Sequence, residues 1–415
     1  MVDGCDHLCR PSFGSAPATT PDAWRQHPTR GPRKEGNTAV RFQAHAYGEV
    51  VFTRPDDLAD ETIVAALAEG WGFDAVRLEH QAVGFGSHHW KATAASGDAR
   101  FVTVDDLCGK KRDADDTVDA VFERLVHAFT TVRALHDDAM LHFTVPPLDD
   151  RSGGVIRHVG TGYSMVVHPF LSGTTLGEHG EYRSSADRSA VLELLVALHA
   201  ATGVAARHAD IDDLALPHRE DLRAALSQIS VPWTAGPYGE RARGLLAEHE
   251  HSLRTLLTTY DRLATQVRGH PERMVITHGE PHAGNVLAVD GQHRLIDWDT
   301  ARIAAPERDL WDLDPGDGSI LEAYSAATGV VVRPEALSLF RLWYDLDEIG
   351  GYLDEFRRPH EDDADAAEAW NNLLHFLQPE ARWPSLFADP VPPTTSTTTS
   401  TTTTKAGQPV KQVRG

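Results

Sequence analysis

Two carboxylates and an amide lie close together in the sequence, at spacings suited to chemistry on phosphate groups. Glu280 and Asn285 follow a short apolar run at 274–277, and Asp297 follows a second apolar run at 293–296. If both runs are short strands, their ends bring the three side chains to one place. Carboxylate and amide oxygens bind Mg²⁺, and a further carboxylate can orient an acceptor hydroxyl. The pattern therefore favours metal-dependent phosphoryl transfer.

The elements that position these residues can be predicted from local patterns. Asp290-Gly291 predicts a tight turn between 286–289 and the second strand. Upstream, strands are expected at 76–83, 88–95, 100–104 and 163–171, and an amphipathic helix is expected at 117–135. From 185 to 263, and again over 319–377, the apolar spacing is mainly helical. A small sheet-rich lobe is therefore expected to precede a larger helical lobe.

The segment from His278 to Asn285 resembles the catalytic loop of the aminoglycoside phosphotransferase family, in which H-G-D is followed four residues later by N. Leu295 to Asp299 resembles the I-D-x-D element of that family, which stands where protein kinases carry D-F-G. The likeness covers about residues 75–350 and is strongest to spectinomycin phosphotransferases and their actinobacterial relatives. It implies an α+β, bilobal, protein-kinase-like fold with a small antiparallel-sheet N-lobe and a larger helical C-lobe.

The resemblance implies a role for each residue of the loop and of the metal-binding segment. Glu280 would orient the acceptor hydroxyl or take its proton, and His278 would brace the loop. Asn285 and Asp297 would hold Mg²⁺ against the phosphates of ATP or GTP, with Asp299 supporting the metal. His282 could equally be a hydrogen-bonded spacer.

The nucleotide is expected to lie against the N-lobe. Gly84, Gly86 and Ser87 resemble the turn that covers the phosphates, where missing side chains let backbone amides approach oxygens. A Gly-x-Gly turn between strands also occurs as an ordinary hairpin. Val167 and Phe170 would belong to the segment that links the lobes and binds adenine through its backbone.

Two positions depart from the family pattern. The usual catalytic aspartate is Glu280, whose extra methylene moves the carboxylate by roughly 1.5 Å. The third strand lacks the lysine that grips the α- and β-phosphates, and Thr103 stands in its place. Period-two alternation directs Lys91 on the second strand toward the nucleotide, so Lys91 could supply the missing charge, with Glu123 as its partner. The alternative is that both are solvated surface residues.

Composition limits the kinds of partner. The chain has 415 residues and a formal net charge of −22, which disfavours nucleic acid and anionic membranes and suits a cationic small molecule. Asp345 and Glu348 lie in a carboxylate-rich helical stretch that could line the acceptor site, although a solvated helix face would show the same pattern. Three cysteines and the absence of a long apolar run favour a cytoplasmic protein.

The chain divides into four predicted regions. A disordered arm at 1–45 precedes the nucleotide-binding N-lobe at 46–170, and the helical C-lobe at 171–388 precedes a disordered Thr-rich tail at 389–415.

The expected activity is transfer of the γ-phosphate of ATP to a hydroxyl of an aminoglycoside or aminocyclitol antibiotic, which would confer resistance. Two alternatives are a small-metabolite kinase of the same fold, acting on an amino alcohol or a sugar, and a pseudokinase that binds nucleotide without turnover. The pseudokinase is suggested by Thr103 and Glu280. The oligomeric state is left open.

Overall fold

A computed structural model describes residues 54–387 except Phe85, His179 and Gly180. The expected arm at 1–45 and the Thr-rich tail at 389–415 lie outside these residues. Within the described part, a sheet-rich lobe precedes a mainly helical lobe, as the sequence predicts.

The smaller lobe is built on a five-stranded antiparallel sheet in the order β1-β2-β3-β5-β4. The four strands and the helix expected here are confirmed, with ends shifted by at most two residues. Helix α1 and strand β4 were not predicted, and α1 has no side-chain cap that would have marked its start. The elements are α1 Asp60–Trp71, β1 Ala75–Gln81, β2 His88–Ala94, β3 Ala99–Asp106, α2 Val118–Asp137, β4 Arg157–Val159 and β5 Tyr163–Pro169.

The two faces of this sheet are covered by different helices, because side chains alternate along each strand. Trp90, Val102 and Val167 lie on the face that packs against α1. Val166 lies on the opposite face and packs against Phe129 and its neighbours on α2. The second face also carries the residues that point toward the helical lobe.

The larger lobe begins with small strands and continues mainly as helices. Its two apolar cores are formed by α5, α6, α9 and α10, and by α3, α8 and the strands beside them. No helix in the described ranges is long and apolar enough to cross a membrane. The elements are β6 Thr174–Thr175, β7 Gly177–Glu178, β8 Glu181–Tyr182, α3 Ser185–Ala200, α4 Thr202–Ala205, α5 Arg219–Ser227, α6 Gly239–Arg268, β9 Val275–Thr277, β10 Val286–Val289, β11 Gln292–Leu295, β12 Arg302–Ala304, α7 Glu307–Leu310, α8 Ser319–Thr328, α9 Pro334–Arg357, α10 Ala364–Phe376, α11 Pro379–Arg382 and α12 Pro384–Phe387.

His168, at the end of β5, makes the folding stability of the protein sensitive to acid. Burial lowers the pKa of His168 to about 4, and its ring lies against Phe129 of α2. The unfolded chain therefore binds more protons than the folded chain between that value and about 6.5, so stability falls as the pH drops through this range. We expect acidification from pH 7 to pH 5 to cost about 2 kcal/mol at this site.

Thermal denaturation at both pH values, with wild type and His168→Gln, measures this effect. The substitution removes the titrating group, so His168→Gln should lose less stability on acidification. His251→Gln, at an exposed position on α6, is the matched control and should behave like wild type. An equal loss in His168→Gln and wild type would contradict the assignment.

Candidate active site

The catalytic-loop segment connects β9 to β10 and ends in a short 3₁₀ turn over Ala283–Asn285. His278 is fully buried, and its Nδ1 accepts a hydrogen bond from the backbone N–H of Glu280 at 3.3 Å. Its Nε2 must then carry the proton and donates to the Ile296 carbonyl at 2.9 Å. Burial lowers the pKa of His278, which agrees with a neutral ring. His278 thus braces the loop.

The segment that is predicted to bind the metal is held against this loop by hydrogen bonds. The N–H of Ile296 donates to the Asn285 carbonyl at 3.0 Å, and the Asn285 side-chain amide donates to the Glu280 carbonyl at 3.1 Å. The hydroxyl of Thr300 donates to the His278 carbonyl at 2.9 Å. Asp297, the residue after Ile296, has a φ of 65° in the left-handed region. The two segments therefore form one unit that brings Glu280, Asn285 and Asp297 into the same region.

The start of the loop is anchored on Asp309 of α7, which is fully buried. Its carboxylate accepts the backbone N–H groups of His278 at 3.0 Å and Gly279 at 2.7 Å. Gly279 has a φ of 103°, and a Cβ there would come within 2.4 Å of the Arg308 guanidinium. Only glycine fits at this position.

His282 caps the 3₁₀ turn. It is buried, and its Nδ1 accepts the backbone N–H of Gly284 at 3.1 Å. This contact agrees with the interpretation of His282 as a hydrogen-bonded spacer.

Three carboxylates of the site repel one another electrostatically. Burial raises the pKa of Glu280 well above its usual value, and the charges of Asp297 and Asp299 raise it further. Withdrawal from water and the neighbouring Asp299 likewise raise the pKa of Asp297. A cation placed among these groups would relieve the repulsion.

The donor set fits a hard divalent cation. Asn285 offers an amide oxygen, and Asp297 and Asp299 offer carboxylates, all of which suit Mg²⁺. Within the described ranges, no three His, Cys, Asp or Glu side chains form a metal-binding group by themselves. A magnesium ion here would need phosphate oxygens and water to complete its coordination, as it usually does.

The turn between β1 and β2 lies over β3. Gly84 and Gly86 have φ values of 77° and 72°, which few other residues adopt. The Ser87 hydroxyl donates to the buried Asp105 carboxylate of β3 at 2.6 Å. Ser87 therefore fixes the turn to the sheet.

The residues expected to link the lobes lie on different sides of the sheet. Val167 is fully buried on the α1 face, and its carbonyl accepts the N–H of Leu148 at 2.7 Å. The ammonium of Lys91 lies 4.1 Å from the centre of the Phe170 ring. Glu123, which was expected to be the partner of Lys91, is exposed on α2.

The match to known families covers this site. The chain matches the model of the phosphotransferase enzyme family (APH) over residues 114–340, more than half of its length. The chain belongs to this family. The phosphotransferase is 31% identical over 252 residues to Protein StrN of Streptomyces griseus, with 58% of this chain and 73% of that protein covered.

Solved structures show the same fold. The complex of spectinomycin phosphotransferase APH(9)-Ia with ADP and spectinomycin matches with a TM-score of 0.61 and 15% identity, covering 80% of this chain and 99% of that one. The AMP-bound complex of APH(9)-Ia matches with a TM-score of 0.57 and 16% identity, covering 79% and 98%. The predicted family, the bilobal kinase-like fold and the enzyme class, an ATP-dependent phosphotransferase, are confirmed.

Sequence reasoning missed two residues that organise the site of the phosphotransferase. Asp309 anchors the catalytic loop, and Lys110 binds Asp299 with its Nζ 2.8 Å from the carboxylate. Asp309 lies 31 residues after His278 and Lys110 lies 189 residues before Asp299, so no local spacing indicates either contact. The only available signal for Lys110 was the missing lysine on β3.

The carboxylates expected at the acceptor site lie on α9. Glu348 is buried, and Asp345 is 1% exposed. The Asp345 carboxylate accepts hydrogen bonds from Arg382 Nε at 3.0 Å and Trp383 Nε1 at 2.8 Å. These contacts hold α11 and the residue after it against α9. A role of Asp345 in binding substrate stays a prediction.

Asp345→Asn should destabilise the phosphotransferase by about 2 kcal/mol, because Arg382 loses a charged partner inside the protein. Urea denaturation followed by circular dichroism measures this loss. Glu248→Gln, at an exposed position on α6, should leave the midpoint unchanged. If Asp345 binds substrate instead, its substitution would raise KM and leave the midpoint at the wild-type value.

Proposed function

We propose that this phosphotransferase transfers the γ-phosphate of ATP to a hydroxyl of an aminoglycoside or aminocyclitol, with Mg²⁺ bound by Asn285 and Asp297. The observation that carries the proposal is the unit formed by the loop at 278–285 and the segment 296–300, in which Glu280 lies close enough to Asp297 and Asp299 for their charges to raise its pKa. The likeness to APH(9)-Ia, whose complex contains ADP and spectinomycin, supports an aminocyclitol acceptor.

The chemistry follows from the properties of the site. When bound, Mg²⁺ would neutralise charge on the phosphates. Glu280 would orient the acceptor hydroxyl and receive its proton, and a cation bound beside Asp297 and Asp299 would favour the ionised form of Glu280 that can do so. His278 and Asp309 hold the loop in place during transfer, because their hydrogen bonds fix its backbone.

A cationic acceptor is supported by Asp347 on α9. This residue is 6% exposed, and its Oδ1 has no hydrogen-bond partner among the described residues. Burial raises the pKa of Asp347 to about 6. The charge of the neighbouring His218 lowers this pKa in turn, so Asp347 favours a positive charge at this place on α9.

An assay of ADP release tests the proposal. Purified protein is mixed with ATP and spectinomycin, other aminocyclitols, aminoglycosides, choline or sugars, with and without Mg²⁺, and products are identified by mass spectrometry. We expect Mg²⁺-dependent phosphorylation of an aminocyclitol or aminoglycoside, and Glu280→Gln serves as the inactive control.

The other outcomes separate the alternatives. Turnover with choline or a sugar alone would identify a small-metabolite kinase. ATP binding without phosphorylation of any acceptor would identify a pseudokinase. Either result would contradict the proposed function. A cytoplasmic location, where ATP is abundant, is part of the same proposal.

A further inference from the structure

The face of the N-lobe sheet that points toward the helical lobe lacks a cation at the usual lysine position. Thr103 occupies that position, and its Oγ1 lies 3.2 Å from Nδ1 of His89 on β2. Burial lowers the pKa of His89 to about 3, so its ring is neutral. Neither residue therefore supplies a positive charge at this position in the unliganded protein.

A lysine from outside the sheet reaches the place where phosphates would lie. Lys110 follows β3 in the loop that leads to α2, and its side chain is 20% exposed. Its Nζ lies 2.8 Å from Asp299 in the metal-binding segment and 3.2 Å from Asp105 at the end of β3. Lys110 therefore joins the two lobes at the cleft.

We propose that Lys110 replaces the missing β3 lysine and binds the α- and β-phosphates of the nucleotide. This inference rests on the proposed function, because it assumes that nucleotide enters between the lobes. Asp105 acts as the positioning carboxylate, a role that a helix glutamate fills when the lysine lies on β3.

The geometry of the ammonium group supports this role. A lysine ammonium group has three N–H donors. In the described part of the chain, Asp105 and Asp299 accept two of those of Lys110. The third is left for a phosphate oxygen. A lysine ammonium group is positively charged at neutral pH, so this donor would bring a positive charge to the phosphate.

The same contacts connect Lys110 to the turn that covers the phosphates. Asp105 is 1% exposed and accepts the Ser87 hydroxyl at 2.6 Å as well as the Lys110 ammonium. A single buried carboxylate thus binds both Ser87 of the turn and the lysine. Lys91, the other candidate, is directed toward the Phe170 ring beside the linker.

Calorimetric titration with ADP and with adenosine, both without Mg²⁺, tests the proposal by binding and not by turnover. We expect Lys110→Met to weaken ADP binding by about 10- to 100-fold, as loss of a charge-assisted hydrogen bond does, and to leave adenosine binding unchanged. Lys111→Ala removes the neighbouring positive charge and should bind both ligands like wild type. Lys91→Ala should bind ADP at least tenfold more tightly than Lys110→Met.

The outcomes are distinguishable. If wild type binds ADP neither without Mg²⁺ nor with it, both the proposed function and the role of Lys110 fail, and binding only with Mg²⁺ refutes the role of Lys110 alone. If wild type binds ADP and Lys110→Met binds it equally well, or if only Lys91→Ala loses affinity, the role of Lys110 alone is refuted. Equal losses for ADP and adenosine would show a structural effect and also refute it.

A second variant controls for folding. Removing Lys110 leaves Asp105 without its cation, so Lys110→Met/Asp105→Asn removes both charges together. We expect this variant to melt closer to wild type than Lys110→Met and still to bind ADP at least tenfold more weakly than wild type. Recovery of wild-type ADP affinity would refute the proposal.

Discussion

Asp297→Ala is expected to slow phosphoryl transfer about 1,000-fold, which corresponds to about 4 kcal/mol of lost transition-state stabilisation. Asp297 follows the residue whose backbone is bound to both His278 and Asn285, so its position is fixed relative to the catalytic loop. Its raised pKa reflects its partial withdrawal from water and the crowding of carboxylates that a divalent ion would relieve. Removing it takes away a carboxylate ligand of the proposed magnesium site.

Single-turnover kinetics with saturating ATP and Mg²⁺ measure this effect. Glu193→Ala, at an exposed position on α3, is the matched control and should transfer phosphate at the wild-type rate. Asp297→Ala should remain folded by circular dichroism, because Asp297 is an exposed residue and the substitution leaves no cavity in the core. A folded variant that keeps more than about a tenth of the wild-type rate would contradict a metal-binding role for Asp297.

Asp309→Ala is expected to destabilise the protein by about 3–5 kcal/mol, which is the usual cost of breaking a buried charged network. The Asp309 carboxylate accepts the N–H groups of His278 and Gly279 and the Nε2–H of His199 at 3.0 Å. Nδ1 of His199 in turn accepts the Tyr324 hydroxyl at 2.8 Å. An alanine would leave three buried donors without an acceptor.

Urea denaturation at pH 7 measures this loss. Glu322→Ala, at an exposed position on α8, should shift the midpoint little. Because the catalytic loop also loses its anchor, the residual folded Asp309→Ala protein should be less active per molecule than wild type. A free energy of unfolding within about 1 kcal/mol of wild type would show that the network adds little to stability.

The local patterns of the sequence were sufficient for most of the elements that the structure contains. Asp290-Gly291 predicted a hairpin, and both residues have positive φ values between β10 and β11. The helix expected at 117–135 is present because its apolar spacing gives it one face that packs against β5. These predictions succeeded because turns and amphipathic periods depend on residues that are close in the chain.

Local patterns did not predict which lysine lies near Asp299. Alternation along β2 correctly placed Lys91 on the same face as Thr103, because strand side chains alternate. Alternation does not determine where a long side chain ends, and Lys91 lies over Phe170. The loop after β3 has no repeating pattern, so its approach to Asp299 could not be predicted.

The sequence by itself determined the family, the two lobes and the segments that carry Glu280, Asn285 and Asp297, because each is encoded in a short run of residues. Only the tertiary structure decided that Lys110 meets Asp299 and that Asp309 anchors His278 and Gly279. It also decided that Asp345 accepts a hydrogen bond from Arg382. These contacts join residues far apart in the chain, and packing of the two lobes, not local conformational preference, brings them together.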